Sequence, residues 1–158
     1  MTEHIGSGVI VKFGIVTHDA AATASALRAL FAPGPVPASQ SETPAPSSAP
    51  PSKTFRGRPC GSTPLKVVNV YTDNFWFEVV QPLDDSPSPW RSHLDAHGVS
   101  ACFFSVHISG GLDHDAGLIE SLGFPEIFRE EKGHERYAYF DTVPTLGLLL
   151  EVKERLPA

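Results

Sequence analysis

The stretch VIVKFGIV, residues 9–16, is apolar throughout except for the ammonium group of Lys12. A run of this kind predicts a strand that is buried on both faces. A sharp THD turn follows, and AAATASALRALF, residues 20–31, predicts a helix with Asp19 as its N-cap. The large apolar residues of this helix are expected on one face, namely Leu27, Leu30 and Phe31.

The same order of elements occurs a second time in the chain. SACFFSVHI, residues 100–108, predicts the matching strand, and the SGGLDHD stretch after it predicts a turn. AGLIESLGF, residues 116–124, predicts the matching helix, with Leu118 and Leu122 four residues apart. A repeated strand and helix indicate two related modules.

Each copy closes with two further strands joined by a short polar turn. These strands are LKVVNVY and FWFEVVQP in the first copy, and RYAYFD and LGLLLEVKE in the second. Short additional strands are expected near residues 55–58 and 128–129, and a helix, SPWRSHLDAHG, connects the copies. We therefore predict one α+β domain over residues 1–158, with βαβββ modules at 9–80 and 99–153.

A proline-rich segment, residues 32–54, interrupts the first module. It holds seven prolines and almost no apolar residue larger than alanine, so it cannot bury enough surface to offset the entropy of ordering. We predict a long inserted loop. A proline-rich recognition motif is the alternative, although no basic residue flanks a PxxP core.

The composition is that of a folded, acidic protein. Hydrophobic residues make up 41% of the chain, and its formal net charge is -6, which argues against nucleic acid as a partner. No stretch approaches the roughly 18 apolar residues of a membrane span, and no signal-peptide pattern is present. Two cysteines are too few for a disulfide framework, and Cys102 is expected in the core. We therefore expect a cytoplasmic protein that binds no membrane.

Three single charges lie inside apolar strands. Glu78 in FWFEVV and Glu151 in LGLLLEV fall at equivalent points of the two copies, and Lys12 lies in the first strand. Desolvating an isolated ammonium or carboxylate costs several kcal/mol, so a charge in a fully buried strand is usually paired. We therefore predict that the three side chains meet on a cavity wall. The alternative is that each one points to solvent from an exposed strand face.

Paired modules with one polar residue per cavity strand resemble the vicinal oxygen chelate (VOC) superfamily, which includes glyoxalase I, methylmalonyl-CoA epimerase, extradiol dioxygenases and bleomycin-resistance proteins. FEVVQPLDDSPSPWRSHLDAHG, residues 77–98, is similar to an epimerase pattern of a glutamate strand ending in QP, a loop, and a helix ending in HG. FRGRP and ERYAYFDTVPTLGLLLEV are similar to further segments of that subgroup. The resemblance implies a half-open barrel and a homodimer.

The resemblance also implies where a metal would be bound. Such enzymes hold a divalent ion between four strands, usually through two histidines and two acidic or amide residues. The acidic positions match Glu78 and Glu151 here, whereas the histidine positions match Lys12 and Ala101. Two carboxylates beside an ammonium hold a divalent ion weakly. We therefore expect no cofactor, with Lys12 in the place of the metal; a divalent metal at the two glutamates is the alternative.

The implied chemistry is proton transfer next to a carbonyl group. In metal-using relatives the ion polarises a substrate carbonyl and an acidic residue moves the neighbouring proton; here Lys12 would supply the charge, with Glu78 and Glu151 also catalytic. We expect an isomerase, epimerase or lyase acting on a small carbonyl compound. The alternatives are a binding protein that sequesters a small molecule without turnover, and a purely structural cluster of charges.

Further side chains are expected to contact the substrate. Those assigned are Trp76, Ala101, Phe103, His107, Arg56 and His134. Aromatic side chains on the cavity strands would serve an enzyme or a binding protein, and arginines at the mouth would suit an anionic substrate. His93 and His97 are four residues apart on the connecting helix, a spacing that can hold a metal, but no third ligand is evident, so a surface helix face is the favoured interpretation.

Overall fold

The computed structural model describes residues 2–41 and 51–155, which form nine strands and five helices. The strands are β1 (Ile10–Val16), β2 (Ser52–Phe55), β3 (Arg58–Pro59), β4 (Leu65–Tyr71), β5 (Trp76–Pro82), β6 (Ser100–Ile108), β7 (Glu126–Glu131), β8 (Glu135–Phe140) and β9 (Leu149–Arg155). The helices are α1 (Ala20–Leu30), α2 (Ala38–Ser41), α3 (Pro89–His97), α4 (Leu112–Ser121) and α5 (Val143–Leu146).

The chain divides into two compact units, each named here after one of its buried charged side chains. The Lys12 unit comprises residues 11–41 and 62–103, and the Glu151 unit comprises residues 2–10, 51–61 and 104–155. β6 begins in the Lys12 unit and ends in the Glu151 unit.

In the Lys12 unit, β5 lies between β1 and β4. β1 runs parallel to β5, with Lys12 opposite Trp76 and Gly14 opposite Glu78. β5 pairs with β4 in the antiparallel sense, which places Asn69 opposite Glu78. Because parallel strands cannot be joined by a tight turn, the chain leaves β1 through α1 before it returns to the sheet.

The two faces of this sheet differ in character. α1 packs on one face, and Ile15 and Phe77 pack against the core beneath it. Because side chains alternate along a strand, Lys12, Glu78 and Asn69 lie on the opposite face. The buried residues of the core are Ala20, Ala24, Leu27, Val70 and Val79.

The Glu151 unit is built from antiparallel pairs. β2 pairs with β3 and β7, β7 with β8, and β8 with β9, so that Phe55 lies opposite Phe128 and Tyr139 lies opposite Glu151. Both short strands expected near residues 55–58 and 128–129 are therefore present. α4 covers one face, where the buried residues are Val106, Ile108, Leu112, Ala116, Ile119, Ala138, Phe140, Leu150 and Val152.

The predicted α+β class and the repeated order of strand, helix and strands are confirmed. The Asp19 carboxylate accepts a hydrogen bond of 3.0 Å from the N–H of Ala22 and caps α1. Ser88 caps α3 in the same way through the N–H of Arg91, at 3.0 Å. Gly98, with φ of 69°, ends α3 in a conformation that favours glycine. Cys102 is a buried free thiol, as predicted.

Two predictions about the helices are wrong. α4 spans Leu112–Ser121, so part of the stretch predicted as a turn forms its first turn, and Leu122 lies just after its end. In α1, Leu30 is 76% exposed and Phe31 is 42% exposed, although the Phe31 ring lies 5.6 Å from that of Phe77. Small alanines instead form most of the buried face of α1, which lets the helix approach the sheet closely.

The prediction of a continuous loop over residues 32–54 is also wrong at both sides. α2 forms at Ala38–Ser41 and β2 begins at Ser52, while residues 42–50 lie outside the described residues. Gly34 packs closely on the end of β4, because a Cβ there would lie 2.0 Å from the carbonyl oxygen of Thr72. Similarly, α5 replaces the polar turn expected before β9.

None of the helices in the described part of the chain is long and apolar enough to cross a membrane.

Candidate active site

The central feature of the Lys12 unit is a buried ion pair between neighbouring strands. Lys12 Nζ donates a hydrogen bond of 2.8 Å to Glu78 Oε2. The Lys12 side chain is 3% exposed and that of Glu78 is 19% exposed. The alternative of a solvated lysine on an exposed strand face is therefore wrong. A charge-assisted contact of this length between a buried lysine and a half-buried glutamate is strong and fixes the direction of the ammonium.

The ring of Phe103 contacts the ammonium group, and two more aromatic residues, Trp76 and Tyr71, lie on the same face of the sheet. Nζ lies 5.7 Å from the centre of the Phe103 ring, a cation–π contact of about 0.5–2 kcal/mol. Gly14 makes room for that ring, because a Cβ at position 14 would lie 2.0 Å from Phe103 Cε1. Trp76, opposite Lys12 in the sheet, is buried, and its ring contacts that of Tyr71 at 5.9 Å. The pair thus faces an aromatic, low-dielectric environment.

Asn69 is a polar neighbour of the pair that was not predicted from the sequence. It lies directly opposite Glu78 on β4, on the same face of the sheet. Its Oδ1 atom is buried and has no hydrogen-bond partner among residues 2–41 and 51–155. Leaving such an acceptor unsatisfied costs about 1–3 kcal/mol. The sequence did contain one indication: Asn69 is the single amide residue within LKVVNVY, a stretch that is otherwise suited to a strand.

The Glu151 unit holds a second buried acid. Glu151 is 2% exposed and accepts a hydrogen bond of 2.7 Å from Ser105 Oγ. Ser105 is fully buried on β6 and was also missed, although it interrupts the apolar run FFSV two residues after Phe103. The expectation that Glu151 shares a site with Lys12 and Glu78 stays a prediction.

Two further predicted substrate contacts lie on β6, the strand that also carries Phe103. His107 follows Ser105 by two residues and therefore shares its strand face. Ala101 has an exposed side chain, and its backbone carbonyl accepts a hydrogen bond from His93 Nε2 at 2.9 Å. A methyl side chain at position 101 offers no donor or acceptor to a ligand. The substrate roles of both residues remain predictions.

Arg56 and His134, the remaining predicted contacts, lie in turns of the Glu151 unit. Arg56 occupies the β2–β3 turn with φ of 51°, and its guanidinium lies 5.1 Å from the ring centre of Phe55. His134 precedes β8 by one residue, five residues before Tyr139. Because Tyr139 lies opposite Glu151, His134 is roughly 17 Å from Glu151 along the sheet. The structure therefore does not bring His134 to Glu151.

His93 is buried, so the prediction of a solvated histidine face on α3 is wrong for this residue. It is 7% exposed, and its ring lies 4.4 Å from that of His97. Burial lowers the pKa of His93, and the neighbouring His97 lowers it further, while the bond to the Ala101 carbonyl opposes both effects. His93 thus supports the α3–β6 connection as a neutral hydrogen-bond donor.

The residues at the ligand positions implied by the resemblance do not fit a divalent metal. Position 12 carries an ammonium group that donates a hydrogen bond to a carboxylate oxygen of Glu78, and position 101 carries a methyl group. Among the residues that the structure describes, no group of three or more His, Cys, Asp or Glu side chains could hold a metal ion. The side chains at positions 12 and 101 therefore supply none of the neutral nitrogen donors that such a metal site uses.

No protein-family model and no curated protein matches the sequence. Among solved structures, methylmalonyl-CoA epimerase from Mycobacterium tuberculosis matches with a TM-score of 0.63 and 14% identity, over 99% of this chain and 94% of that one. A variant of the Streptomyces coelicolor enzyme, in complex with 2-nitronate-propionyl-CoA, matches with a TM-score of 0.55 and 17% identity, over 93% and 94% of the two chains. A methylmalonyl-CoA epimerase in complex with methylmalonyl-CoA and NH4+ matches with a TM-score of 0.53 and 17% identity, over 94% and 98%. The chain therefore has the fold of these epimerases, which belong to the VOC superfamily.

Proposed function

We propose that this protein is an epimerase-like enzyme, an isomerase or lyase, that moves a proton next to the carbonyl group of a small substrate. The observation that carries the proposal is the ion pair of Lys12 and Glu78, with the Phe103 ring over the buried ammonium. A buried charge pair contributes little net stability compared with apolar residues of similar volume, so a functional reason for it is worth testing.

In the proposed reaction, a carboxylate removes the proton from the carbon next to the carbonyl. The C–H electron pair moves into the carbonyl group, and the Lys12 ammonium stabilises the resulting enolate oxygen by hydrogen bonding. Return of the proton to the opposite face of the carbon gives an epimer, return to another atom gives an isomer, and departure of a β-substituent gives a lyase product. Glu78 and Glu151 are the two carboxylates that we assign to proton transfer.

The comparisons support this class of reaction without identifying the substrate. A fold is shared by proteins of different activity, so the reaction has to be argued from the residues. One epimerase of similar fold was solved with methylmalonyl-CoA and NH4+, and an ammonium ion is chemically related to the side chain of Lys12. We therefore include methylmalonyl-CoA as a test substrate and propose that the reaction needs no divalent metal.

The test is solvent-deuterium exchange into carbonyl compounds, including methylmalonyl-CoA, followed by mass spectrometry. We expect the wild-type protein to exchange the proton next to the carbonyl at the same rate with EDTA and with added Zn²⁺, Co²⁺ or Ni²⁺. Replacing Lys12 by methionine keeps the length of the side chain and removes its charge, and is expected to slow exchange by about 10²–10³-fold. Glu78→Gln and Glu151→Gln test the two carboxylates separately.

Arg91→Met is the matched control, because it also removes a cation from an ion pair, here with the exposed Asp95. It is expected to leave exchange unchanged. Metal-stimulated exchange that survives Lys12→Met would contradict the proposal. Tight binding of an aromatic carbonyl compound without any exchange would instead identify a sequestering protein, a function that the rings of Trp76 and Phe103 would also serve.

A further inference from the structure

Asn69 lies at a position where an amide has no evident structural purpose. Asparagine is disfavoured in strands, and the residues beside it in β4, Val68 and Val70, are apolar. Its Oδ1 atom is buried without a hydrogen-bond partner in the described part of the chain. Buried polar groups are almost always satisfied, so an exception of this kind requires an explanation.

The position of Asn69 connects this exception to the ion pair. Asn69 and Glu78 are directly opposite each other, and such pairs in antiparallel sheets have Cβ atoms about 4.5–5.5 Å apart. Lys12 donates to the carboxylate of Glu78 on the same face. A small molecule at the ion pair would therefore lie within reach of the amide of Asn69.

We propose that Asn69 determines substrate specificity by accepting a hydrogen bond from a hydroxyl or N–H group of the substrate. The inference rests on the proposed function, which places the reacting carbonyl at Lys12. Because Asn69 lies directly opposite Glu78, the partner of Lys12, we place the donor group next to the reacting carbonyl. The substrate class is thus a carbonyl compound with an adjacent hydroxyl or amino group, such as an α-hydroxy ketone.

Polar recognition of this kind gives a strong and measurable preference. A site built to hydrogen-bond a substrate hydroxyl discriminates against the analogue that lacks it, because the polar group of the protein is then left unpaired. Asn69 would be such a group, already desolvated before the substrate arrives. The free protein bears the cost of the unsatisfied carbonyl, and the correct substrate removes it.

The test compares 2-hydroxyacetophenone with acetophenone, which differ by one hydroxyl group and carry a ring suited to an aromatic site. We expect the wild-type protein to favour the hydroxy ketone by about tenfold or more in kcat/KM for deuterium exchange. Asn69→Leu, which keeps the side-chain size without polar atoms, is expected to bring this ratio close to one. Val67→Leu, on the same strand and face, is the control and is expected to keep the wild-type ratio.

A second measurement separates this role from a structural one. Because Asn69→Leu removes an unsatisfied buried acceptor, it is expected to raise the midpoint of thermal unfolding by about 2–4 °C. An amide that supported the fold would give the opposite shift. A lower midpoint for Asn69→Leu, or an unchanged preference for the hydroxy ketone, overturns the inference.

Binding of the same two ketones, measured by saturation-transfer NMR, distinguishes failure of the inference from failure of the proposed function. If the wild-type protein exchanges neither ketone but binds the hydroxy ketone more tightly, and Asn69→Leu removes that advantage, the inference holds and the proposed reaction fails for these compounds. If the wild-type protein shows no difference between the two ketones in binding or exchange, the inference is wrong.

Discussion

Replacing Lys12 by methionine is expected to lower the free energy of unfolding by about 3 kcal/mol. The Coulomb attraction of the pair at 2.8 Å is on the order of 6 kcal/mol with an effective dielectric constant near 20. Desolvation of each charge costs several kcal/mol, so the intact pair is close to neutral overall, whereas breaking a buried pair typically costs about 3–5 kcal/mol. We expect the lower end of this range because the Glu78 side chain is 19% exposed, so water relieves part of the cost.

The double variant Lys12→Met/Glu78→Met is expected to recover most of this loss. Two apolar side chains of similar volume restore packing and remove both charges of this pair together, and such replacements are often neutral or stabilising. Urea unfolding at pH 7 gives the free energy of unfolding of Lys12→Met, Glu78→Met and the double variant. With a dependence on urea of about 2 kcal/mol per molar, a loss of 3 kcal/mol lowers the midpoint by roughly 1.5 M.

Arg91→Met provides the control for this cycle. Arg91 lies 2.9 Å from Asp95, almost the same distance as in the buried pair, but the Asp95 side chain is 64% exposed. Exposed pairs contribute only about 0–1 kcal/mol, so this variant should unfold close to the wild-type midpoint. If Lys12→Met behaves like Arg91→Met, or if the double variant loses as much as both single variants together, the reasoning about a buried, coupled pair is refuted. A stable double variant without exchange activity would separate the chemical role of the pair from its structural role.

Three further predictions concern the surroundings of the site. Gly14→Ala is expected to destabilise the protein by at least about 1–3 kcal/mol, because its Cβ would lie 2.0 Å from the buried Phe103 ring; a wild-type melting temperature would contradict this packing. Ser105→Ala is expected to cost about 1–3 kcal/mol in urea unfolding, since Glu151 loses a donor at 2.7 Å, and Ser105→Thr should retain more stability than Ser105→Ala. Stability is expected to fall as pH decreases below about 6.5, because the pKa of His93 is lowered in the folded state and the unfolded chain takes up the proton first; His93→Gln should flatten this part of the pH profile, and an unchanged slope would assign it to other groups.

Much of the fold could be predicted because its signals are local. The cap at Asp19 depends on residues within one turn of its helix, and it was predicted from the sequence. The pairing of β2 with β7 depends on contacts between residues about 75 positions apart and leaves no local pattern. The start of α4 was missed for a similar reason: Asp115, which suggested a turn, accepts a hydrogen bond of 2.7 Å from the distant N–H of Gly6.

The candidate site was predictable to the extent that its residues are charged. Lys12 and Glu78 are conspicuous because a buried charge is so costly that pairing can be inferred from the strand pattern alone. Ser105 and Asn69 carry smaller desolvation costs, so a neutral polar residue in a strand gives a weaker signal. Identifying them required the register of β4 against β5 and the contact between β6 and β9.

The register that forms the ion pair is selected by the hydrophobic core on the other side of the sheet. Ile15 on β1 lies opposite Val79 on β5, and Ile15 and Phe77 both pack against the core beneath α1. A slip of one residue between the strands would turn Lys12 toward that core and Ile15 toward Phe103, at the cost of both a buried unpaired charge and lost apolar packing. The side chains beneath α1 therefore hold the ammonium in position, and a catalytic group placed in this way needs no reorganisation when a substrate arrives.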